Sequence, residues 1–174
     1  MLVEAVAERI MGFLSDIGIE VHATTLVGET FLPGIRLEKG RLLVDHTRLT
    51  YVGDLLHEAG HVAVVPPEVR ADLSGDAAAD GRFDMTSVEI AVIPWSFAAA
   101  VAIDLDPRVV FHAGGYRGRS EGLLRTFALG VYPGVHVLQA AGMCATGARA
   151  EALGVAPYPH MLRWRRDAPD GAGG

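Results

Sequence analysis

The run Asp54-Leu-Leu-His57-Glu58-Ala59-Gly60-His61-Val62-Ala63-Val64-Val65 sets two histidines four positions apart inside an apolar segment. On a helix, residues 57 and 61 stand one turn apart on the same face. Their imidazoles can then grip one zinc ion, at roughly 2.0–2.1 Å per nitrogen. Glu58 is angled aside from that line. Its carboxylate can reach a metal-bound water without taking a coordination position. Zinc draws the pKa of such a water towards neutrality, and a carboxylate base removes its proton as it attacks a carbonyl. Gly60, between the two histidines, permits a close backbone approach by a second element.

Working outward, Pro66-Pro67 ends this helix, and Asp45 or Thr47 is its expected cap, giving a helix to about Val65. Upstream, Val3, Val6, Ile10, Phe13, Leu14 and Ile17 recur at helical spacing, and Gly18 stands where that helix stops. Residues 19–26 alternate as a strand. Residues 34–37 and 41–44 flank Glu38-Lys39-Gly40 as a short hairpin. Downstream, residues 68–84 read as a surface loop rich in Asp, Ala and Gly. Thr86 or Ser87 is the expected cap of a helix reaching about Ile103. Asp106-Pro107 opens a short helix, Ser120 caps the next, and Gly130 closes that one. One or two short helices follow within 133–154. The pattern is α+β, with a small N-terminal sheet or hairpin packed on a mostly helical body. Residues 1–166 read as one domain, and 167–174 as a disordered tail with nothing to bury.

A tetrahedral catalytic site takes three protein ligands and leaves a position for water. Position 67, six residues after His61, is proline, so no third histidine follows in the HExxHxxGxxH manner. The single Cys144 builds no thiolate site. A carboxylate is the alternative. Glu89 stands among apolar neighbours in Val88-Glu89-Ile90-Ala91-Val92, where a buried acid needs a partner. It would equally serve as an early-turn acid facing the helix dipole. Asp80 and Asp84 are further acids, in the loop. Pro94 bends the helix just after Glu89, which would either swing its carboxylate away or, the favoured reading for an early-turn acid on an apolar segment, aim it at the metal.

The Leu55-Leu-His-Glu-Ala-Gly-His61 helix, followed by a helix with an early Glu89 and Trp95-Ser-Phe-Ala-Ala-Ala100, resembles the glutamate-type zincins. Among them it is most similar to the small ImmA/IrrE-like bacterial metallopeptidases, over about residues 41–103. That resemblance implies a compact zincin-like domain in which His57, His61 and Glu89 bind Zn2+ and Glu58 is the base. It also implies an edge strand beside the cleft, a part the 34–45 hairpin would fill by pairing with an extended peptide. A helix-turn-helix DNA-binding domain, which some relatives carry, is not evident.

Developing oxyanions need a donor. His112 and Tyr116, in Phe111-His-Ala-Gly-Gly-Tyr-Arg-Gly-Arg119, are the catalytic candidates for that part, and Arg117 or Arg119 could hold a substrate carboxylate. An ordinary surface turn is the plainer reading of the same residues. Asp54, one turn before His57, either orients its imidazole or is a solvated helix acid. His22, His46, His136 and His160 are scattered singly, and Trp95 with Phe97 reads as core.

A formal charge of −6 argues against nucleic-acid binding, which needs a basic face. No apolar run reaches spanning length, and Glu4, Glu8 and Arg9 break up the N-terminus as a signal peptide. The expected protein is cytoplasmic, with no membrane and no nucleic-acid partner. Its oligomeric state is left open by the sequence. The expected function is zinc-dependent hydrolysis of a peptide or related amide bond in a peptide or protein substrate. The alternatives are a non-catalytic zinc-binding regulatory or interaction module, and a non-peptidase zinc hydrolase.

Overall fold

Apolar residues at helical spacing bury one face of α1 (Leu2–Asp16), where Ile10 and Leu14 are wholly enclosed. The computed structural model describes residues 2–75 and 85–167. Gly18, at φ +74°, turns the chain after α1 into β1 (Val21–Ala23). β2 (Ile35–Glu38) and β3 (Arg41–Val44) form the expected hairpin. Its turn places both Lys39 and Gly40 at positive φ, the geometry that matches strand twist in a two-residue hairpin. β1 pairs in parallel with β3, giving the strand order β1-β3-β2. Leu37, Leu42 and Val44 point from this sheet into the core.

α2 (Asp54–Val64) carries the two histidines and begins later than its cap-like residues suggest. Asp45 and Thr47 do not cap it. The Asp45 carboxylate accepts from the amides of Leu26 and Thr47 and from the Thr47 hydroxyl, which ties the end of β3 to the chain after β1. Gly53 precedes α2 and lies hard against the turn at Val109-Val110. A Cβ there would stand 2.0 Å from the Val109 carbonyl oxygen and 2.7 Å from Val110 Cα. Gly53→Ala therefore forces backbone apart and should cost about 1–3 kcal/mol, read by urea unfolding; an unchanged midpoint would contradict this packing.

Past α2, Pro66 ends the helix, and Pro67 opens the one-turn helix α3 (Pro67–Arg70) at the head of the segment expected to be loop. The longest helix, α4 (Met85–Ala102), starts before Thr86 and Ser87, which therefore lie within it rather than capping it. α4 crosses α2 closely. A Cβ on Gly60 would meet Val92 Cγ1 at 2.9 Å and Trp95 Cε3 at 3.2 Å, while Ala91, Ala98 and Ala99 keep the facing side small. The Ser96 hydroxyl, wholly buried, donates to the Val92 carbonyl. Pro94 lies inside α4 without breaking it and leaves the Ile90 carbonyl without its helical donor. Gly134, at φ +83°, fits its backbone against that oxygen, where a Cβ would come within 2.1 Å.

A 3₁₀ turn at Pro107–Val109 is capped by the Asp106 carboxylate, which accepts from the amide of Arg108. α5 (Ser120–Ala128), α6 (Val135–Ala140) and α7 (Gly147–Leu153) follow, with Gly130 at φ +73° closing α5. Ser120 does not cap α5. It is the first helical residue, and its hydroxyl donates to the carbonyls of His112 and Gly115, drawing the preceding loop inward. The last stretch straps back over the helices: the Tyr158 hydroxyl donates to Pro94 O, the Trp95 indole to Trp164 O, and the Arg166 amide to Ala63 O. The class is α+β, a three-stranded sheet beside a mostly helical body. Among the described residues, no helix is long and apolar enough to cross a membrane.

Candidate metal centre

The α2–α4 crossing brings Glu89 over the face of α2 that carries both histidines. His61 Nε2 lies 3.4 Å from Glu89 Oε2, and His57 Nε2 lies 3.6 Å from Glu89 Oε1. One ligand atom from each of the three residues falls within 4.8 Å of the others, so the group could hold a metal ion. Two imidazoles and a carboxylate are the right donor types for one. Ligands around a tetrahedral ion at 2.0–2.1 Å stand about 3.3–3.4 Å apart, and the two separations found, one to each oxygen of Glu89, are near that value. The His61 side chain is 9% exposed and that of His57 15%, whereas Glu89 is 46% exposed and faces solvent on one side. Ligand access is therefore from the α4 side.

Electrostatics suit the same purpose. Burial, with His61 alongside, pulls His57 down to about 4 despite the opposing charge of Glu89. Its imidazole is neutral at neutral pH and offers a lone pair. Burial alone would raise Glu89, but the hydrogen bond from His61 and the nearby His57, His61 and Arg117 outweigh it. The carboxyl is held below its ordinary range and stays ionised.

Tyr116 is present at the centre, in a different place from the oxyanion donor expected. Its hydroxyl lies 3.1 Å from His57 Nδ1, on the side of the ring facing away from Glu89, and the two rings meet edge to face. With the proton on Nδ1, His57 donates to the phenol oxygen and Nε2 is left to ligate. Burial, with Glu89 and Asp54 nearby, pushes the phenol far above its usual pKa, so it remains neutral. Tyr116 and Arg117 both adopt φ +53°, followed by Gly118 at φ +75°. Left-handed backbone at two side-chain-bearing residues is strained and persists where its surroundings over-determine it. Here the contact with His57 and the Ser120 bonds do so. Tyr116→Phe should retain the fold and lower metal affinity about 10- to 100-fold, as loss of such a partner does elsewhere. Metal titration against a chromogenic chelator measures it, and wild-type affinity would remove the assigned part.

His112 also departs from the expectation. Its Nε2 donates to Asp54 Oδ1 at 2.9 Å, and the Tyr51 ring stacks on it with centroids 3.7 Å apart. Asp54 therefore orients His112 rather than His57, and at 6% exposure it is no solvated helix acid. Among the described residues, the buried His112 Nδ1 has no hydrogen-bond partner. The dyad lies behind the Tyr116 loop, since Gly114 can approach Tyr51 only for want of a side chain: its Cβ would come within 2.8 Å of the Tyr51 hydroxyl. Nothing in the sequence signalled Tyr51. Glu58, half-buried, follows His57 on α2. Arg117 and Arg119 are exposed on the loop, and His22, His46, His136 and His160 are exposed elsewhere. Asp80 and Asp84 lie outside the described residues, as does the tail beyond Asp167.

The outer edge of the 34–45 hairpin is only partly open to an extended peptide. β2 is an edge strand, but its outward Ile35 amide already donates to Leu32 O, and its outward Leu37 carbonyl accepts from Gly75. Comparison of the chain with protein-family profiles, curated proteins and solved structures finds no match.

Proposed function

We propose that the group binds zinc and hydrolyses a peptide or related amide bond. The observation that carries this reading is the pair of 3.4 and 3.6 Å separations between two imidazole nitrogens and one carboxylate. Two nitrogens and one oxygen from protein, with a side open to solvent, are the donor set of a catalytic zinc site. Zinc bound there would polarise a carbonyl and make water acidic near neutral pH. His57, His61 and Glu89 hold the ion. Tyr116 fixes the His57 tautomer. Glu58, one position along α2 from His57, takes the proton from the attacking water and passes it to the leaving nitrogen.

A non-catalytic zinc-binding regulatory module is the second reading, favoured by the partly occupied outer edge of β2. A peptide would find the Ile35 amide and the Leu37 carbonyl already engaged there. Zinc-loaded protein incubated with a peptide library separates the two. The hydrolase reading expects cleavage that a chelator stops and added zinc restores. Full zinc occupancy without cleavage of any library member decides for the regulatory module.

A further inference from the structure

Away from the metal centre, the end of α2 borders a hollow of about 580 Å³ lined by Lys39, Arg41, Arg70, Arg165, Glu20 and the buried Val62, among others. Four cations and one carboxylate line it, in a chain whose formal charge is −6, with Glu38 beside Arg41 and with Glu68 and Asp167 acting on Arg70 from the margin. Such a concentration of positive charge runs against the rest of the molecule and needs a reason. Glu20, whose carboxylate also lies 3.0 Å from His22, is the one negative charge in the lining and opposes an incoming anion.

Part of this cluster is structural, and the remainder is unused. Arg70 directs Nε and Nη2 to the carbonyls of Val62, Val65 and Arg166, bracing the end of α2. Arg165 gives Nη1 to Gly18 O. Among the described residues, no hydrogen bond engages Arg70 Nη1 or the Lys39 ammonium. Arg41 reaches Glu38 only at 3.5 Å, and among the described residues its Nε finds no hydrogen-bond partner. The exposed part of the Arg41 guanidinium is thus engaged only by that long pair, and an anion in the hollow would meet it. The hairpin geometry keeps the walls close, since Gly40 lies against the Arg70 backbone where a Cβ would stand 2.4 Å from its carbonyl.

We propose that this hollow is a binding site for a small phosphate-bearing anion, held by Lys39, Arg41, Arg165 and the free face of Arg70. Its volume is that of an ordinary small-ligand site, and forked guanidinium groups match phosphate geometry. The site shares no residue with the metal group and needs no metal, so it stands or falls separately from the hydrolase reading.

Calorimetric titration of the full chain with inorganic phosphate and with pyrophosphate, at low salt and against a chloride control, tests it. Saturable binding is expected, tighter for pyrophosphate. The double variant Lys39→Gln/Arg41→Gln should weaken it at least ~10-fold, the scale of a lost charge-assisted hydrogen bond. Its unfolding midpoint without ligand should stay that of wild type. Glu20→Gln should tighten binding, and Arg125→Gln, in an exposed pair with Glu121 on α5, should leave it unchanged. A non-saturable response, or equal weakening by Arg125→Gln, overturns the site as general charge attraction. Co-sedimentation with vesicles containing phosphatidic acid, run with the same variants, shows whether the phosphate is free or that of a lipid headgroup. Absence of binding in both arms overturns the proposal.

Discussion

If the proposed centre carries close to one zinc per chain, as expected, replacing His57 or His61 with alanine should empty it. Each change leaves one imidazole and Glu89, and two donors without the chelate geometry of a helix turn hold zinc weakly. The protein should keep its fold, since His57 and His61 hang from an α2 whose packing rests on Leu55, Leu56, Ala59, Val62 and Ala63. Glu89→Ala removes the third donor at the solvent side and should lower affinity sharply while leaving both histidines paired across one turn. Elemental analysis of protein purified without added metal, and again after zinc is supplied, reads all three variants against wild type. Wild type lacking metal under both conditions ends the proposal at its base. Glu89→Ala that binds like wild type would instead move the third donor elsewhere.

Glu58→Gln should abolish most turnover without touching the metal. Glutamine keeps the size and reach of glutamate but has no basicity, so the step lost is proton transfer from water. General-base loss is worth at least ~10²-fold in rate. Zinc content should match wild type, because Glu58 contributes no coordinating atom. The contrast with Glu89→Ala is what makes the pair informative: one variant loses activity with its metal, the other loses activity while keeping it. Equal rates for wild type and Glu58→Gln on any cleaved substrate would sink the assigned base.

Much of the architecture was legible because it is local. α1 follows from an uninterrupted apolar stripe ending at Gly18, and the hairpin from Lys39-Gly40 between two apolar runs. The helix ends that were misread share one cause. Asp45, Thr47 and Ser120 are good capping residues by type, yet their side chains are engaged by distant groups: Leu26 for Asp45, and the His112 carbonyl for Ser120. Local propensity cannot register such partners. α4 began early for a related reason. Met85 continues a helix whose packing comes from residues further along, so polar Thr86 and Ser87 do not mark its start.

The centre divides in the same way. His57 and His61 are set by spacing on one helix, and Glu89 by its incongruous apolar setting, so all three could be named in advance. What surrounds them depends on a loop some fifty residues on, whose course no periodicity encodes. That is why the sequence does not show Tyr116 behind His57, or Asp54 paired with His112 rather than orienting His57 or lying in solvent. The positive φ at Tyr116 and Arg117 gives no sign in the sequence, because neither residue is glycine.

The notch at Pro94 makes the three-residue group poorly portable. Glu89 stands one residue before Ile90, whose freed carbonyl receives Gly134, and Tyr158 anchors to Pro94 itself. The carboxylate's aim is thus held by segments lying some 45 and 70 positions downstream. A peptide cut to α2, its loop and α4 would contain every donor atom and still be expected to present them badly. By the same logic, grafting HExxH and a glutamate onto an unrelated helix pair would copy the letters without the clamp. Whatever lineage built this centre had to shape the far end of the chain together with it.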